Sequence, residues 1–318
     1  MIALYLVLAL FLLFLLTSYI CMLFAMRRGK AFDPRDPKAI AKSAWARHQE
    51  PVLAGIAWLA LQETEQISLE SFDGLRLSAR LFPAEENRGT ILLFHGYRSM
   101  VCIDFSCAAQ YYHELGFNLL LIDQRSHGHS EGRYLTYGVL ERRDCQSWAD
   151  YCYRRFGSSQ SLFLGGLSMG ASTVLMASDL PMPPTVRGII ADCGFTSPWE
   201  IIAHVMKSRY HLPPFPLLYG IDLFSRLFAR CGLRDCSTVQ AVARTVLPVL
   251  LIHGTGDRFV PCSMSRRAYD ACAGERHLVL VEGAGHGASF LVDRRACTRA
   301  LEQFLFSHLP EAEAAPER

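Results

Sequence analysis

The sequence predicts an α/β fold, a mostly parallel sheet covered by helices on both faces, with a transmembrane helix ahead of it and a helical segment inserted into it. Short, nearly continuous apolar runs recur and alternate with longer segments of helical character, the pattern of strands buried on both faces. A stretch of twenty-five uncharged residues, Ile2 to Met26, opens the chain. The pentapeptide Gly166-Leu167-Ser168-Met169-Gly170 lies between an apolar run and a helix-prone one, which reads as strand, sharp turn and helix.

At 318 residues and 51% hydrophobic content the chain can bury a full core. One catalytic domain of roughly 250 residues with an appendage is the expectation. A formal net charge of +2, with no basic patch interleaved with aromatics, gives no electrostatic case for nucleic acid. The 11 cysteines are scattered, without a CxxC pair or a Cys/His cluster at zinc spacing. They read as small buried hydrophobes in a reducing compartment.

From Ile2 to Met26 the residues are mostly Leu, Phe, Ile and Val, closed by Arg27-Arg28-Gly29-Lys30. At about 1.5 Å per residue such a helix exceeds a hydrocarbon core of roughly 30 Å. A retained anchor is favoured over a cleaved signal peptide. No basic region precedes the run, it is too long, and no small-residue cleavage site follows it. The basic residues after it place the catalytic domain on the cytoplasmic side of the cell membrane, as a single-pass protein, with an extracytoplasmic domain as the alternative.

Asp33-Pro34-Arg35-Asp36-Pro37 reads as a linker. Ala39 to Gln66 reads as helical, broken near Glu50-Pro51. Two runs alternating at period two, Ile67–Phe72 and Leu75–Phe82, flank Asp73-Gly74 and predict an antiparallel hairpin. Strands are then expected at 90–94, 118–122, 161–164, 186–191, 249–252 and 277–281. Helices are expected near 105–115, 141–155, 169–180, 264–273 and 294–308. Trp199 to Val246 breaks this rhythm and reads as a lid inserted between two strands. Its apolar side chains either line an acyl pocket or form a satellite core. The expected organisation is an anchor (1–30), a linker and helical segment (31–66), a catalytic domain (67–309, with the lid at 199–246) and a disordered tail (310–318).

A serine hydroxyl needs a histidine within hydrogen-bond reach, oriented in turn by a carboxylate. Ser168 sits where a nucleophile elbow would place it, with Gly166 and Gly170 letting strand and helix crowd together. Asp257 follows the run 249–252, and His286 follows the next, in Glu282-Gly283-Ala284-Gly285-His286-Gly287. The order Ser, Asp, His is that of a triad built on successive strand-end loops. Met169, after the nucleophile, and Tyr97, in His95-Gly96-Tyr97-Arg98, are the expected N–H donors to an oxyanion.

With these motifs the chain resembles α/β-hydrolase fold serine hydrolases. The anchored N-terminus, Asp123-Gln124-Arg125-Ser126-His127-Gly128-His129-Ser130 and the short lid make it similar to their bacterial Bem46-like or YqkD-like branch. The likeness covers roughly Ile67 to Leu309. It implies hydrolysis of carboxylic esters or thioesters. Ser126 stands where that family usually carries glycine, a departure that touches a structural turn and no catalytic role.

Other candidates read as structural. His127 and His129, two apart with no third ligand in view, read as turn histidines, so no metal is expected. His95 and His253 read as loop braces. Asp192 is the alternative triad acid, ranked behind Asp257. No Lys-Ser/Thr follows the glycines at Ser168, so a nucleotide site is not supported. The expected activity is a cofactor-free serine hydrolase acting on a small acyl ester or lipid. Acyl transfer by the same residues and a non-catalytic membrane-tethered binding module are the alternatives.

Overall fold

The computed structural model describes residues 1–30, 33–41 and 45–310, so the tail expected at 310–318 lies outside them beyond its first residue. Eight strands, β1 (Glu65–Glu70), β2 (Arg76–Phe82), β3 (Gly89–Phe94), β4 (Phe117–Asp123), β5 (Leu162–Leu167), β6 (Val186–Asp192), β7 (Val249–Gly254) and β8 (Arg276–Val281), form one sheet. Their order is β1-β2-β4-β3-β5-β6-β7-β8. The two pairings made by β2 are antiparallel and the rest are parallel. The chain runs from β3 outward to β4 and returns to place β5 on the other side of β3. Strand order therefore reverses between β3 and β5, where open α/β sheets leave a crevice at the strands' carboxyl ends.

The helices are α1 (Ile2–Met26), α2 (Pro37–Ile40), α3 (Gln49–Leu61), α4 (Val101–Asp104), α5 (Ser106–Glu114), α6 (Glu141–Phe156) and α7 (Met169–Ala177). After β6 come α8 (Pro198–Tyr210), α9 (Leu217–Phe224) and α10 (Thr238–Val242), then α11 (Ser263–Ala271), α12 (Ser289–Val292) and α13 (Arg294–Ser307). Alternation along the strands divides the core. Ile91, Leu93, Leu119 and Leu121 pack toward α3, α5 and α13, whereas Leu92, Leu120, Leu162 and Leu164 pack toward α6, α7 and α11.

Three local expectations need correcting. Glu50-Pro51 does not break a helix; it lies in the first turn of α3, where the missing N–H of proline has no intrahelical acceptor to lose. The helical segment also ends at Leu61, and β1 begins at Glu65, before the expected strand start. The hairpin loop is wider than the Asp-Gly pair. Pairing stops at Glu70 and Arg76, and Ser71 closes the loop by accepting the Leu75 N–H on its Oγ at 2.8 Å.

Arg125, buried after β4, ties three distant segments together through paired contacts to Asp144 on α6 (2.6 and 2.7 Å) and Asp73 in the hairpin loop (3.0 and 3.1 Å). The next residue, Ser126, has φ +63, which explains why glycine suits this place, and its buried Oγ has no hydrogen-bond partner among the described residues. Ser126→Gly is expected to raise stability by about 1 kcal/mol in urea denaturation, because relief of strain and of a buried unsatisfied hydroxyl outweighs the added chain entropy.

The long first helix is only half free. Ile2 to Leu13 are exposed, while Ser18, Met22 and Met26 are fully buried. These last pack among Ile201 and Met206 of α8 and Leu218 and Ile221 of α9. The backbones of α1 and α9 approach so closely at Gly220 that a Cβ there would collide with Ser18 Oγ. Beyond the helix, Arg28 N–H donates to the Arg133 carbonyl and Leu135 N–H to the Met26 carbonyl, each at 2.9 Å.

Candidate active site

Ser168 occupies the turn between β5 and α7 with φ +56 and ψ −114, a conformation that L-residues rarely hold. The flanking glycines make the turn possible. A Cβ on Gly166 would strike the Gly170 backbone, and one on Gly170 would strike the Phe94 carbonyl at the end of β3. The Ser168 N–H is held by the Asp192 carbonyl at 2.8 Å. Its hydroxyl stands at the reversal point of strand order.

His286 follows β8, and its Nε2 lies 2.8 Å from Ser168 Oγ. Its Nδ1 lies 2.6 Å from Asp257 Oδ2. With Nδ1–H donating to the carboxylate, Nε2 is left to accept the serine proton. Asp257, after β7, also accepts the Phe259 and Val260 N–H groups on Oδ1 at 2.8 and 2.9 Å. Burial pushes the Asp257 carboxyl up, but hydrogen bonds from His253 and His286 outweigh it and hold the group below the usual carboxylate range.

His253 is more than a loop brace. Its Nε2 lies 3.3 Å from Asp257 Oδ2 and 2.9 Å from the Val260 carbonyl, and its Nδ1 lies 2.7 Å from Ser265 Oγ. Asp192, the alternative acid, instead accepts from Ser289 Oγ at 3.3 Å, and burial pushes its carboxyl up to about 6. The His286 hydrogen bond thus goes to Asp257. Cys193 Sγ comes within 4.8 Å of the nearest ligand-type atoms of Asp257 and His286. Burial raises that thiol well above its ordinary value, which disfavours the thiolate a metal would need.

Gly96 and Tyr97 lie beside the serine: a Cβ on Gly96 would stand 3.3 Å from Ser168 Cβ. The neighbouring N–H groups are occupied, that of Gly96 by Asp104 Oδ2 at 2.6 Å and that of Arg98 by His127 Nε2 at 3.2 Å. Among the described residues no acceptor meets the Tyr97 N–H. The Met169 N–H, in the first turn of α7, lacks an intrahelical acceptor. Asp104 Oδ1 accepts in addition from Trp45 Nε1 at 3.1 Å and Ser99 Oγ at 2.6 Å, so one carboxylate pins this loop to α4. Nothing in the sequence near Asp104 marks that role. His127 also bonds the Arg125 carbonyl through Nδ1 at 2.9 Å, and burial, reinforced by His95, lowers its pKa to about 3, which keeps the ring neutral.

An apolar cavity of about 400 Å³ opens over Ser168. The insertion supplies Ile201, Ile202, Val205 and Met206, and Tyr97, Tyr137 and Phe259 also line it. The insertion side chains thus line a pocket and also build a satellite core against α1. A further wall comes from α1 itself, through Ile20, Cys21, Phe24 and Ala25. A helix apolar on every side has no sequence periodicity to betray that contact.

The chain is 27% identical over 252 residues to the uncharacterized protein YqkD of Bacillus subtilis, covering 74% of this chain and 81% of the relative. In fold it is similar to an esterase from Pyrococcus furiosus, with a TM-score of 0.64 at 20% identity over 89% of this chain and 97% of the other. It is also similar to an acylaminoacyl peptidase from Pyrococcus horikoshii, with a TM-score of 0.59 at 17% identity over 83% of this chain and 45% of the other. A model of the alpha/beta hydrolase family matches residues 91–300, two thirds of the sequence. The chain therefore belongs to the alpha/beta hydrolase family, and its likeness to YqkD fits the YqkD-like branch.

Proposed function

We propose that this hydrolase is a serine esterase or thioesterase that works through a covalent acyl-enzyme. The observation that carries this reading is the unbroken hydrogen-bond chain from Ser168 through His286 to Asp257 at the floor of an apolar cavity. Ser168 Oγ attacks the acyl carbonyl while His286 Nε2 takes its proton, and Asp257 stabilises the imidazolium. The Tyr97 and Met169 N–H groups receive the oxyanion. His286 then protonates the leaving alcohol or thiol, and water, deprotonated by the same ring, releases the acid. No cofactor takes part in these steps.

In the same reading α1 is a membrane anchor, with the catalytic domain (67–309) on the cytoplasmic side and 199–246 acting as a lid over the pocket. The support is a helix of 25 residues, about 37 Å long, followed at once by Arg27, Arg28 and Lys30. The substrate is a small acyl ester or lipid.

Treatment of the full chain with a fluorophosphonate, followed by peptide mapping, tests the chemistry. An adduct on Ser168 that is absent in His286→Ala supports it, and a folded protein without any adduct overturns it. Asp104→Ala is expected to lower kcat on a butyryl ester by about 100-fold, because the loop bearing the Tyr97 N–H loses its pin, with a smaller change in KM; steady-state kinetics read both.

A further inference from the structure

The placement of α1 carries a consequence for how substrate arrives. About 20 apolar residues are needed to cross a bilayer, yet only the twelve from Ile2 to Leu13, roughly 18 Å of helix, stand clear of the domain. From Phe14 onward α1 is packed on the insertion, as the crossing at Ser18 and Gly220 requires. If Arg27 and Arg28 mark the bilayer surface, the parts of the insertion that flank α1 lie within the lipid.

Their surface suits that position. Phe215 is 73% exposed and Leu227 63%, with Leu223 and Phe228 also exposed. This apolar surface is continuous with α1: Tyr19 packs on Phe228 with ring centroids 5.2 Å apart, and Phe24 packs on Tyr210 at 5.9 Å. An exposed apolar face joined to an uncharged helix is matched by a lipid surface.

The pocket mouth lies on the same side. Ile20, Phe24, Tyr210 and Leu212 line the cavity and are each more than 40% exposed, so they form its rim. The inner end of α1 is fastened to the oxyanion loop. Tyr97 and Tyr137 hydroxyls both donate to the Ala25 carbonyl, at 2.8 and 3.0 Å. The Arg98 guanidinium donates to the Phe24 and Arg27 carbonyls at 2.8 Å.

We propose that α1 is both the anchor and a wall of the acyl pocket, and that the pocket takes the long acyl chain of a membrane lipid ester directly from the bilayer, between α1 and α8. This rests on the serine-hydrolase reading. The chain lies along Ile20, Phe24 and Ala25 with its carbonyl at Ser168. The Ser168 Oγ–carbon bond forms, the ester carbon–oxygen bond breaks, and the lipid alcohol leaves with the proton from His286. Water then releases the fatty acid and restores the serine.

The test uses the full chain in phosphatidylcholine vesicles and a hexadecyl fluorophosphonate bearing a diazirine at the far end of its chain. After reaction and illumination, peptide mapping is expected to find the phosphonate on Ser168 and the photo-cross-link within Ile20–Ala25. Cross-links on other elements with none on α1 overturn the pocket wall. Absence of any Ser168 adduct is a different result, which overturns the hydrolase reading and the inference with it.

Access from the bilayer is tested by Phe215→Glu combined with Leu227→Glu. The ratio of long-chain ester hydrolysis in vesicles to butyryl ester hydrolysis in solution is expected to fall by about ten-fold or more, as charges are set against lipid. An unchanged ratio overturns it.

Discussion

Ser168→Ala is expected to abolish hydrolysis of short and long acyl esters and all uptake of fluorophosphonate, with thermal stability close to that of the parent. The loss in kcat is on the order of 10⁶-fold, because no other group can form the acyl-enzyme, and binding and oxyanion contacts alone leave only a residual rate. Stability should hold because removing Oγ leaves the turn itself intact. The backbone bond from Ser168 N–H to Asp192 remains, and the glycines on either side are untouched. Esterase assays beside a thermal melt separate the two effects. Retained turnover would move the nucleophile elsewhere in the chain.

The second large effect is expected at Asp257. Asp257→Asn leaves the shape of the site but turns an acceptor toward a donor at His286 Nδ1, and a fall of about 10³- to 10⁴-fold in kcat is expected. Asp192→Asn is the matched control. Asp192 ends β6 and Asp257 follows β7, both near His286, but only Asp257 bonds its ring. The Asp192 variant should keep kcat within about ten-fold, since its carbonyl bond to the Ser168 N–H is retained and its side chain meets the site only through Ser289 and the field.

The two variants should also differ in their pH dependence of stability. The folded Asp192 value of about 6 lies above its unfolded value of about 3.9. Native protein therefore retains a proton that unfolded chain has released, and Asp192 costs stability as pH rises through that window. Asp192→Asn is expected to gain roughly 2–3 kcal/mol at pH 7 relative to pH 4. The Asp257 pKa is depressed, so its contribution is present above the unfolded value and disappears only as pH falls through the lower folded one. Asp257→Asn therefore forfeits stability at pH 7. Urea denaturation at the two pH values reads both signs.

The sheet was legible because β3 to β7 are buried on both faces and must be apolar almost without interruption. The hydrogen-bonded group Ser168, Asp257 and His286 was legible because each lies just beyond an apolar strand run, two of them buried strands and the third the half-exposed β8, among glycines or turn residues that free the backbone to aim a side chain. Asp104 was not. It holds Gly96 from eight residues away in an unremarkable stretch, and only the folded backbone brings the two together. Pro51 misled because proline opens a helix as readily as it ends one. In α1 the uniform apolarity that makes it long and apolar enough to cross a membrane also conceals which side meets protein.

The crossing of α1 with α9 also bears on how the molecule is made. Ser18 leaves the ribosome about 200 residues before Gly220, the residue whose missing side chain admits it. Until α8 emerges, Met22 and Met26 have no partners from the insertion, and in the proposed anchor reading lipid is the solvent that receives them. In the proposed anchor reading, delivery of α1 to the membrane precedes completion of the pocket, and the last non-local contacts close around a helix already in place. A chain synthesised away from a bilayer would expose that helix throughout translation. Its yield and solubility, rather than its chemistry, are where the difference would first be felt.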